Sequence, residues 1–194
     1  MQVEDRENES FGLDALLKLA VNGDQTCFAE LWRTCNPRLE RFLYAQGATG
    51  DPPADDVASE TWLHVVRDLP RFKGDFADFR SWLYQIARNR LIDTARTKAR
   101  RPKATVDIDE MDPAYQFTAS DGLADGVVNR DEVGKIIEKI KALPAAQSEV
   151  LMLRIIADLS VEETAKAMKK TPNAVRVLAH RALTSLREEI GVSE

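Results

Sequence analysis

The chain has 194 residues, of which 44% are hydrophobic and 30% charged, a composition that excludes disorder throughout and is typical of a folded protein. No apolar run approaches the roughly 20 residues that cross a bilayer, so we expect no membrane insertion. The acidic N-terminus is unlike a secretory signal and favours a cytoplasmic location. The net charge of −5 argues mildly against a nucleic-acid partner.

Residues 1–12 are predicted to form a disordered N-terminus. Apolar residues then recur with a helical period over 13–46, and the Asn-Gly-Asp sequence at 22–24 separates two amphipathic helices. A turn-rich loop follows at 47–56, and Asp55 or Asp56 is expected to cap the next helix. The apolar positions of that helix are Val57, Trp62, Leu63, Val66 and Leu69.

An aromatic loop is predicted at 71–79, and Ser81 is expected to begin a long helix that ends near Arg100. One side of this helix is apolar and the other is polar, although Ile92 falls on the polar side without a packing partner. The basic residues are concentrated here and again at 169–187, where no acidic residue occurs. Because of these two basic segments, a nucleic-acid partner is still possible even though the net charge of the chain is negative.

Residues 102–130 contain Pro, Gly and many Asp without a sustained period, which indicates an acidic linker between two compact halves. A second helical stripe begins at Val133. No alternating strand pattern or hairpin turn is convincing anywhere, so the fold class is predicted to be all-α, with two small helical domains.

Two helices near the C-terminus have clear start signals. Ser160 and Glu163 form a capping box, and Thr171 caps the following helix with Pro172 at its first position. Because only Lys169 and Lys170 connect these helices, they are predicted to cross steeply as a helix-turn-helix. The outer face of the second helix comprises Asn173, Arg176, Val177, His180, Thr184 and Arg187, with Arg181 at its edge. The alternative is an ordinary hairpin with a solvated polar face.

Enzyme chemistry finds little support in the sequence. Cys27 and Cys35 are eight positions apart on one predicted helix, about 12 Å along its axis, which is too far for a disulfide. Neither His64 nor His180 has ligand spacing with them, so no metal site and no cofactor are expected. No phosphate-binding loop and no nucleophile with a partner base are present, and the protein is expected not to be an enzyme.

From Gly23 to Glu188 the chain resembles the extracytoplasmic-function sigma factors of the sigma-70 family. Three segments show this resemblance: GDQTCFAELWRTCNPRLERFLY (23–44), the stretch 55–101 beginning DDVASETWLHVV, and the stretch 143–188 beginning LPAAQSEVLMLR. The resemblance implies that 13–101 is sigma region 2, which binds core RNA polymerase and melts the −10 element. It also implies that 131–194 is sigma region 4, which binds −35 DNA.

The resemblance also implies the partners and site residues. Core polymerase, through its β′ clamp helices and β flap, promoter DNA and an anti-sigma factor are the expected partners. The clamp contacts would be Asp55, Asp56, Ser59, Glu60 and Arg67. The −10 contacts would be Phe76, Asp78, Phe79, Trp82, Arg88, Asn89, Asp93, Arg96 and Arg100, with core positions as the alternative for Phe79 and Trp82. The −35 contacts would be Thr171, Asn173, Arg176, Val177, His180 and Arg181.

The sequence departs from the family pattern at three positions. Lys169 stands where the family often has Gly, and Asn173 and Leu178 replace commoner residues, which affects the −35 sequence expected. The chain ends just past the last helix, so regulation is expected from a separate anti-sigma protein. A sigma-like mimic has no reason to keep two basic faces, and a simple repressor has no need of the first domain. The acidic linker could imitate RNA charge, although a plain solvated linker suits its composition better.

Overall fold

A computed structural model describes residues 2–48, 52–100 and 130–190 of the protein. Within these ranges the regular elements are helical, which confirms the all-α prediction. The helices are α1 Gln2–Val21, α2 Gln25–Ala45, α3 Ala54–Asp68, α4 Phe76–Arg100, α5 Arg130–Ala142, α6 Ala145–Leu151, α7 Val161–Met168 and α8 Pro172–Ile190. A 3-10 turn at Leu69–Arg71 follows α3, and a π turn at Met152–Ile156 follows α6.

None of the described helices combines the length and apolar character that crossing a membrane requires. The predicted acidic linker lies outside the described residues, apart from Arg130, where α5 begins. The break predicted at 22–24 is confirmed, because Asp24 caps α2 by accepting a hydrogen bond from the Cys27 amide at 2.9 Å. Cys27 and Cys35 are free thiols, and burial raises the pKa of Cys35 to about 12.

The first half of the chain packs α1 to α4 around one apolar core. Its largest fully buried side chains include Leu17, Leu31, Phe42, Phe79 and Leu83. Burying a side chain of this size contributes roughly 1.5–3 kcal/mol, so this core is the main stabilising feature of the half. A buried hydrogen bond from the Trp62 indole to the Asn36 side chain, at 2.9 Å, fixes α3 against α2.

Three helix starts differ from those predicted. The first helix begins at Gln2, within the segment predicted to be disordered, where the sequence has no apolar stripe to reveal it. Pro53 is the N-cap of α3, so the prediction that Asp55 or Asp56 caps it is wrong. Both acids instead lie in the first turn, where they complement the helix dipole.

The start of α4 at Phe76, ahead of the predicted Ser81, has a local cause. The Asp75 carboxylate accepts a hydrogen bond from the Asp78 amide at 2.8 Å, which satisfies a free N–H group of the first turn. The loop between the 3-10 turn and α4 is therefore shorter than predicted. As a result, Phe76 and Phe79 belong to a helix and turn toward the core.

The second half packs α5 to α8 around Ile140, Met152, Leu153 and Leu159, which are all buried. The capping box predicted at the start of α7 is present in full, with Ser160 and Glu163 bonding each other's backbone. Lys169 ends α7 in a left-handed conformation, with φ of 53° and ψ of 46°. This single left-handed residue turns the chain sharply enough for α8 to begin three residues later.

The two halves also pack against each other, chiefly along α4 and α7. This contact brings the long helix of the first half beside the first helix of the helix-turn-helix. The sequence patterns, which indicate two compact halves joined by a linker, do not predict this contact.

Candidate nucleic-acid and protein interfaces

The outer face of α8 is open. All six predicted −35 residues are exposed, whereas Val175, Ala182 and Leu186 on the opposite side are buried. The Thr171 hydroxyl accepts a hydrogen bond from the Ala174 amide at 3.2 Å, so the predicted cap holds the start of the helix. The six residues brought together on one open surface are Thr171, Asn173, Arg176, Val177, His180 and Arg181.

The charge of this face is almost entirely positive. Arg176 lies 3.1 Å from Glu162 on α7, an exposed pair that contributes little to stability and leaves the guanidinium able to change partner. Lys169 and Lys170 are exposed in the adjoining turn. A helix N-terminus with polar side chains, flanked by lysines, suits a duplex groove bordered by phosphates.

The outer face of α3 holds the predicted polymerase contacts. Asp55, Asp56, Ser59, Glu60 and Arg67 are all exposed, so the structure places them on the solvent side of one helix. This leaves the acidic groups available to a partner.

Two apolar residues also lie on this outer face, contrary to the sequence prediction. Leu63 is 69% exposed and Val66 is 52% exposed, although both were counted with the apolar positions of the helix. The sequence contained a signal for this outward position: Leu63 is four residues from both Ser59 and Arg67, and residues three or four apart share a helix face. Exposed apolar side chains among charged ones are typical of a protein-binding surface.

The end of α3 contacts α4 through His64. Nη2 of Arg67 lies 2.8 Å from Nδ1 of the His64 ring, and Arg90 contacts the other ring nitrogen. Partial burial, and then the charges of Arg90 and Arg67, lower the pKa of His64 and favour the neutral ring. Arg67 also binds Asp68 at 2.7 Å, so it contributes to the helix end as well as to the open face.

The predicted aromatic pocket is closed. Phe79 is fully buried and Phe76 is nearly so, with their rings stacked at a centroid distance of 6.2 Å. Trp82 is half-buried and stacks on Phe72, a residue that the sequence analysis did not select, at 5.2 Å. The core alternative therefore describes the position of Phe79. Phe76, which was predicted only as a pocket residue, lies in the core as well, and Trp82 is the ring of this group that keeps more of its surface accessible.

The second part of α4 has an open polar face. Asn89, Asp93 and Arg96 are exposed, and Ile92 lies among them with 41% of its surface exposed. Together with His64, Ile86 and Arg90 these residues line a cavity of about 430 Å³. Ile92, which lacked a packing role in the sequence, thus supplies an apolar wall beside basic groups. The side chain of Arg100 lies outside the described residues.

Two of the predicted −10 residues, Arg88 and Asp78, form polar contacts with the second half of the chain. Arg88 forms a two-point contact with the Glu149 carboxylate of α6, and its side chain is only 14% exposed. Asp78 accepts a hydrogen bond from Lys166 on α7, and this bond lowers the pKa of Asp78. Arg80, which the sequence gave no reason to select, donates to the carbonyls of Ala157 and Asp158.

No group of three potential metal ligands is found among the described residues. The candidate functional sites of this protein are therefore exposed helix faces that could bind macromolecules. One open basic helix face, one open acidic and apolar helix face, and one partly covered helix lie on a single chain.

Comparison with protein families separates the chain into the same two parts. A model described as Sigma-70 region 2 matches residues 31–101, and a model described as Sigma-70, region 4 matches residues 134–186. The first covers most of α2 and all of α3 and α4, and the second covers most of α5 to α8.

Full-length relatives agree with the family models. The chain is 36% identical to the ECF RNA polymerase sigma factor SigD of Mycobacterium tuberculosis, over 92% of this chain and 84% of that protein. It is 31% identical to the ECF RNA polymerase sigma factor ShbA of Streptomyces griseus, over 94% of this chain and 97% of that protein.

A solved structure shares the fold. CnrH, determined in complex with the cytosolic domain of CnrY, is 22% identical and aligns with a TM-score of 0.67, over 94% of this chain and 99% of CnrH. The two sigma regions, their order and their helical architecture lead to one assignment. The chain belongs to the extracytoplasmic-function sigma factors of the sigma-70 family.

Proposed function

We propose that this sigma factor recruits core RNA polymerase through the outer face of α3 and reads promoters with α8 and α4. In this proposal residues 13–101 act as region 2 and residues 131–194 as region 4. The observation that carries it is the α8 face, where five polar or basic candidate residues and Val177 are exposed together and the opposite side is buried.

The α8 face supports duplex reading at the −35 element. Arg176 and Asn173 lie in the first turns of the helix, where their side chains can reach guanine and adenine edges in a major groove. Lys169, Lys170 and Arg181 are placed at the margins of this face and would hold phosphates. Base contacts then set the sequence preference, and the lysines set the affinity and its salt dependence.

The open part of α4 supports contact with the −10 strand. Asn89 offers donors and an acceptor to a base edge, and Arg96 offers charge to the backbone. Ile92 and the accessible part of Trp82 offer apolar surface for unstacked bases. The buried rings of Phe76 and Phe79 would then support the helix and not bind a base.

The face of α3 supports polymerase binding. Asp55, Asp56, Ser59 and Glu60 supply an acidic rim, and the exposed Leu63 and Val66 supply an apolar centre. A surface with an apolar centre and a charged rim is the usual composition of a protein interface. We therefore propose that α3 binds the clamp helices of polymerase. We propose that the second half of the chain contacts the β flap.

We also infer regulation by a separate protein that covers these surfaces. The cytosolic domain of CnrY is bound to CnrH, and the anti-sigma factor NepR is bound to RpoE of Bartonella quintana, which aligns with this chain at a TM-score of 0.62. An anti-sigma factor acting on this chain in the cytoplasm fits both complexes. We propose no catalytic activity for the protein itself.

Run-off transcription on a promoter library tests the proposal. Purified protein is added to core RNA polymerase from the same cells, and transcript 5′ ends are sequenced with and without it. We expect a set of new start sites that share −35 and −10 sequences. Promoter-length DNA binding without polymerase, and no new start sites with it, would instead indicate a repressor.

A further inference from the structure

A cavity of about 1140 Å³ lies where α2 and the start of α4 face the π turn and the start of α7. Small-molecule sites in proteins are usually clefts of roughly 300–1,000 Å³, so this cavity has room for a whole ligand. Of the residues proposed above to contact polymerase or DNA, Phe76 alone belongs to its lining. The proposed function therefore gives this cavity no role.

The lining of this cavity contains more positive than negative side chains. Arg38 lies 3.3 Å from Asp158, whose side chain is 70% exposed, and Nη1 of Arg80 lies 3.4 Å from Glu163. Arg33 pairs with a glutamate outside the lining. An excess of positive charge in a recess raises the local concentration of anions. The arginines of the lining are Arg33, Arg38, Arg41, Arg80 and Arg154.

A buried tyrosine also belongs to this lining. Tyr84 of α4 is 3% exposed, and its ring packs edge-on against Phe42 at a centroid distance of 5.2 Å. Its hydroxyl makes no hydrogen bond within the described part of the chain, although a buried tyrosine hydroxyl usually has a partner. Burial raises the pKa of Tyr84, so the hydroxyl keeps its proton and can donate it to an acceptor in the cavity.

Arginines from two helices surround this hydroxyl. Arg80 precedes Tyr84 by one turn of α4, whereas Arg38 and Arg41 lie on α2, and the charges of all three act on the hydroxyl. Nη2 of Arg80 donates to two backbone carbonyls beyond the π turn, at 2.9 Å and 2.5 Å, which holds its charge in place. Guanidinium groups bind phosphate oxygens through paired hydrogen bonds, and the hydroxyl adds a further donor.

The cavity has an apolar wall beside these polar groups. Leu13, Pro37 and Ala77 line it together with Tyr84. A bare inorganic anion would leave this wall and most of the volume to water. A ligand with an organic part would cover the apolar surface, which is favourable because it removes that surface from water.

We propose that this cavity binds a small phosphorylated molecule of the nucleotide class, with its phosphates on Arg38 and the Tyr84 hydroxyl and its organic part against the apolar wall. The phosphate oxygens would give the hydroxyl its missing acceptor and would balance the excess positive charge of the lining. Arg80 would contribute through its fixed charge. The inference does not rest on the promoter assignment, because none of these groups is a proposed DNA or polymerase contact.

Isothermal titration calorimetry on the full chain, without polymerase or DNA, tests the proposal. ATP, inorganic pyrophosphate and adenosine are the probes, because they separate the phosphate groups from the organic part. We expect ATP to bind at a single site and pyrophosphate to bind several-fold more weakly. Adenosine should show no measurable binding, because it brings no anion to the arginines.

Tyr84→Phe is the sharpest variant, because it removes the hydroxyl and keeps the ring. We expect ATP affinity to fall about fivefold, with no loss of thermal stability, since the hydroxyl has no partner in the folded chain. Arg38→Gln should weaken ATP binding about tenfold. Arg176→Gln is the matched control, because it removes an exposed arginine from the α8 face and should leave ATP affinity unchanged.

Asp158→Asn should have the opposite effect. The Asp158 carboxylate competes with a phosphate for Arg38, so its removal should tighten ATP binding about threefold. Asn tolerates the left-handed backbone of this position, where φ is 52°. If the pair of Arg38 and Asp158 served only to hold the fold, the same change would weaken binding.

Three results would overturn the proposal. ATP could fail to bind at millimolar concentration. Binding could fall in Arg176→Gln and persist in Tyr84→Phe and Arg38→Gln, which would place the phosphates on the α8 face. Equal affinities for ATP and pyrophosphate would contradict the role of the apolar wall. Because polymerase and promoter are absent from these titrations, a failure of the promoter assignment would be recognised separately, by the absence of new start sites.

Discussion

Lys169 shows how one residue shapes the DNA-binding part of the molecule. It lies in the turn that joins α7 to α8 and has a left-handed backbone conformation. Glycine adopts this conformation without steric cost, whereas a residue with a side chain does not. Asp158, the other described residue of this kind apart from glycine, has a short polar side chain that tolerates the conformation better. Lysine at the turn therefore exchanges some stability for a positive charge beside the α8 face.

We expect Lys169→Gly to stabilise the protein by about 1 kcal/mol, because it removes the steric cost of a left-handed side chain. Chemical denaturation followed by circular dichroism measures this. Lys170→Gly, an adjacent exposed lysine without positive φ, is the control and should not stabilise. Equal or opposite effects of the two changes would contradict this account of the turn. The same Lys169→Gly variant should bind −35 DNA more weakly because it loses a cation.

At the scale of single elements, α3 and α8 are each built with one face for the core and one for a partner. In α3 the inward residues Trp62 and Val65 alternate with the outward Leu63 and Val66 at helical spacing. In α8 the inward residues are small or aliphatic, and the outward ones are polar or basic apart from Val177 and Leu183. Each outward face can be tested without disturbing its inward one.

Leu63→Ser should weaken core-polymerase binding by about tenfold, since it removes buried apolar area from the centre of the proposed interface and puts a hydroxyl group there. Its exposure in the free protein means that the free energy of unfolding should change little. Leu19→Ser, on the exposed side of α1, is the matched control. Titration of labelled protein with core polymerase gives both affinities. Equal affinities for the two variants would remove α3 from the interface.

Arg176→Ala should reduce binding to −35 duplex by roughly 1–3 kcal/mol and relax the preference at one base pair. Core-polymerase affinity should not change, because Arg176 lies on the face of α8 proposed to enter the DNA groove and its ion pair with Glu162 is exposed. Arg33→Ala, which removes an exposed arginine from α2, is the control. Promoter binding and start-site use by holoenzyme reassembled with each variant provide the measurement. Unchanged selectivity in Arg176→Ala would contradict the assignment of α8.

The whole molecule is held closed by polar contacts between its halves, so its shape should depend on pH. The hydrogen bond from Lys166, supported by bonds to Asp75, lowers the pKa of Asp78 below its ordinary 3.8. A group with a lowered pKa stabilises the folded form above its ordinary value, and this contribution is lost as the pH falls through the lowered one. The Asp78 contribution to closure should therefore persist at pH 5 and disappear under strong acid.

Solution scattering between pH 6 and pH 2.5 measures this. We expect expansion only below about pH 3.8, and Lys166→Met should already be partly expanded at pH 6 and change less on acidification. Glu138→Ala is the control, because it removes an exposed carboxylate whose partner, Lys141, lies on the same helix. Expansion centred near neutral pH would show that a different group controls closure.

Much of the architecture followed from local chemistry. The break at 22–24, the Ser160 and Glu163 capping box and the Thr171 cap are short-range features, and the structure confirms each of them. Local reasoning failed at the starts of α3 and α4. There the competing cap residues, Pro53 and Asp75, precede the segments where periodicity becomes evident.

Tertiary packing decided what the sequence left open. It buried Phe76 and Phe79, turned Leu63 and Val66 outward, and gave Ile92 a place beside a cavity. It also paired Arg88 with Glu149 across 61 positions of sequence. Helix periodicity assigns residues to faces, but it cannot say which faces of distant helices meet, because that depends on the complementarity of whole surfaces. Local patterns in the chain were enough to predict an all-α sigma factor with two basic segments. Which of those basic groups are accessible to DNA depends on long-range packing, because a distant carboxylate such as Glu149 can cover one of them.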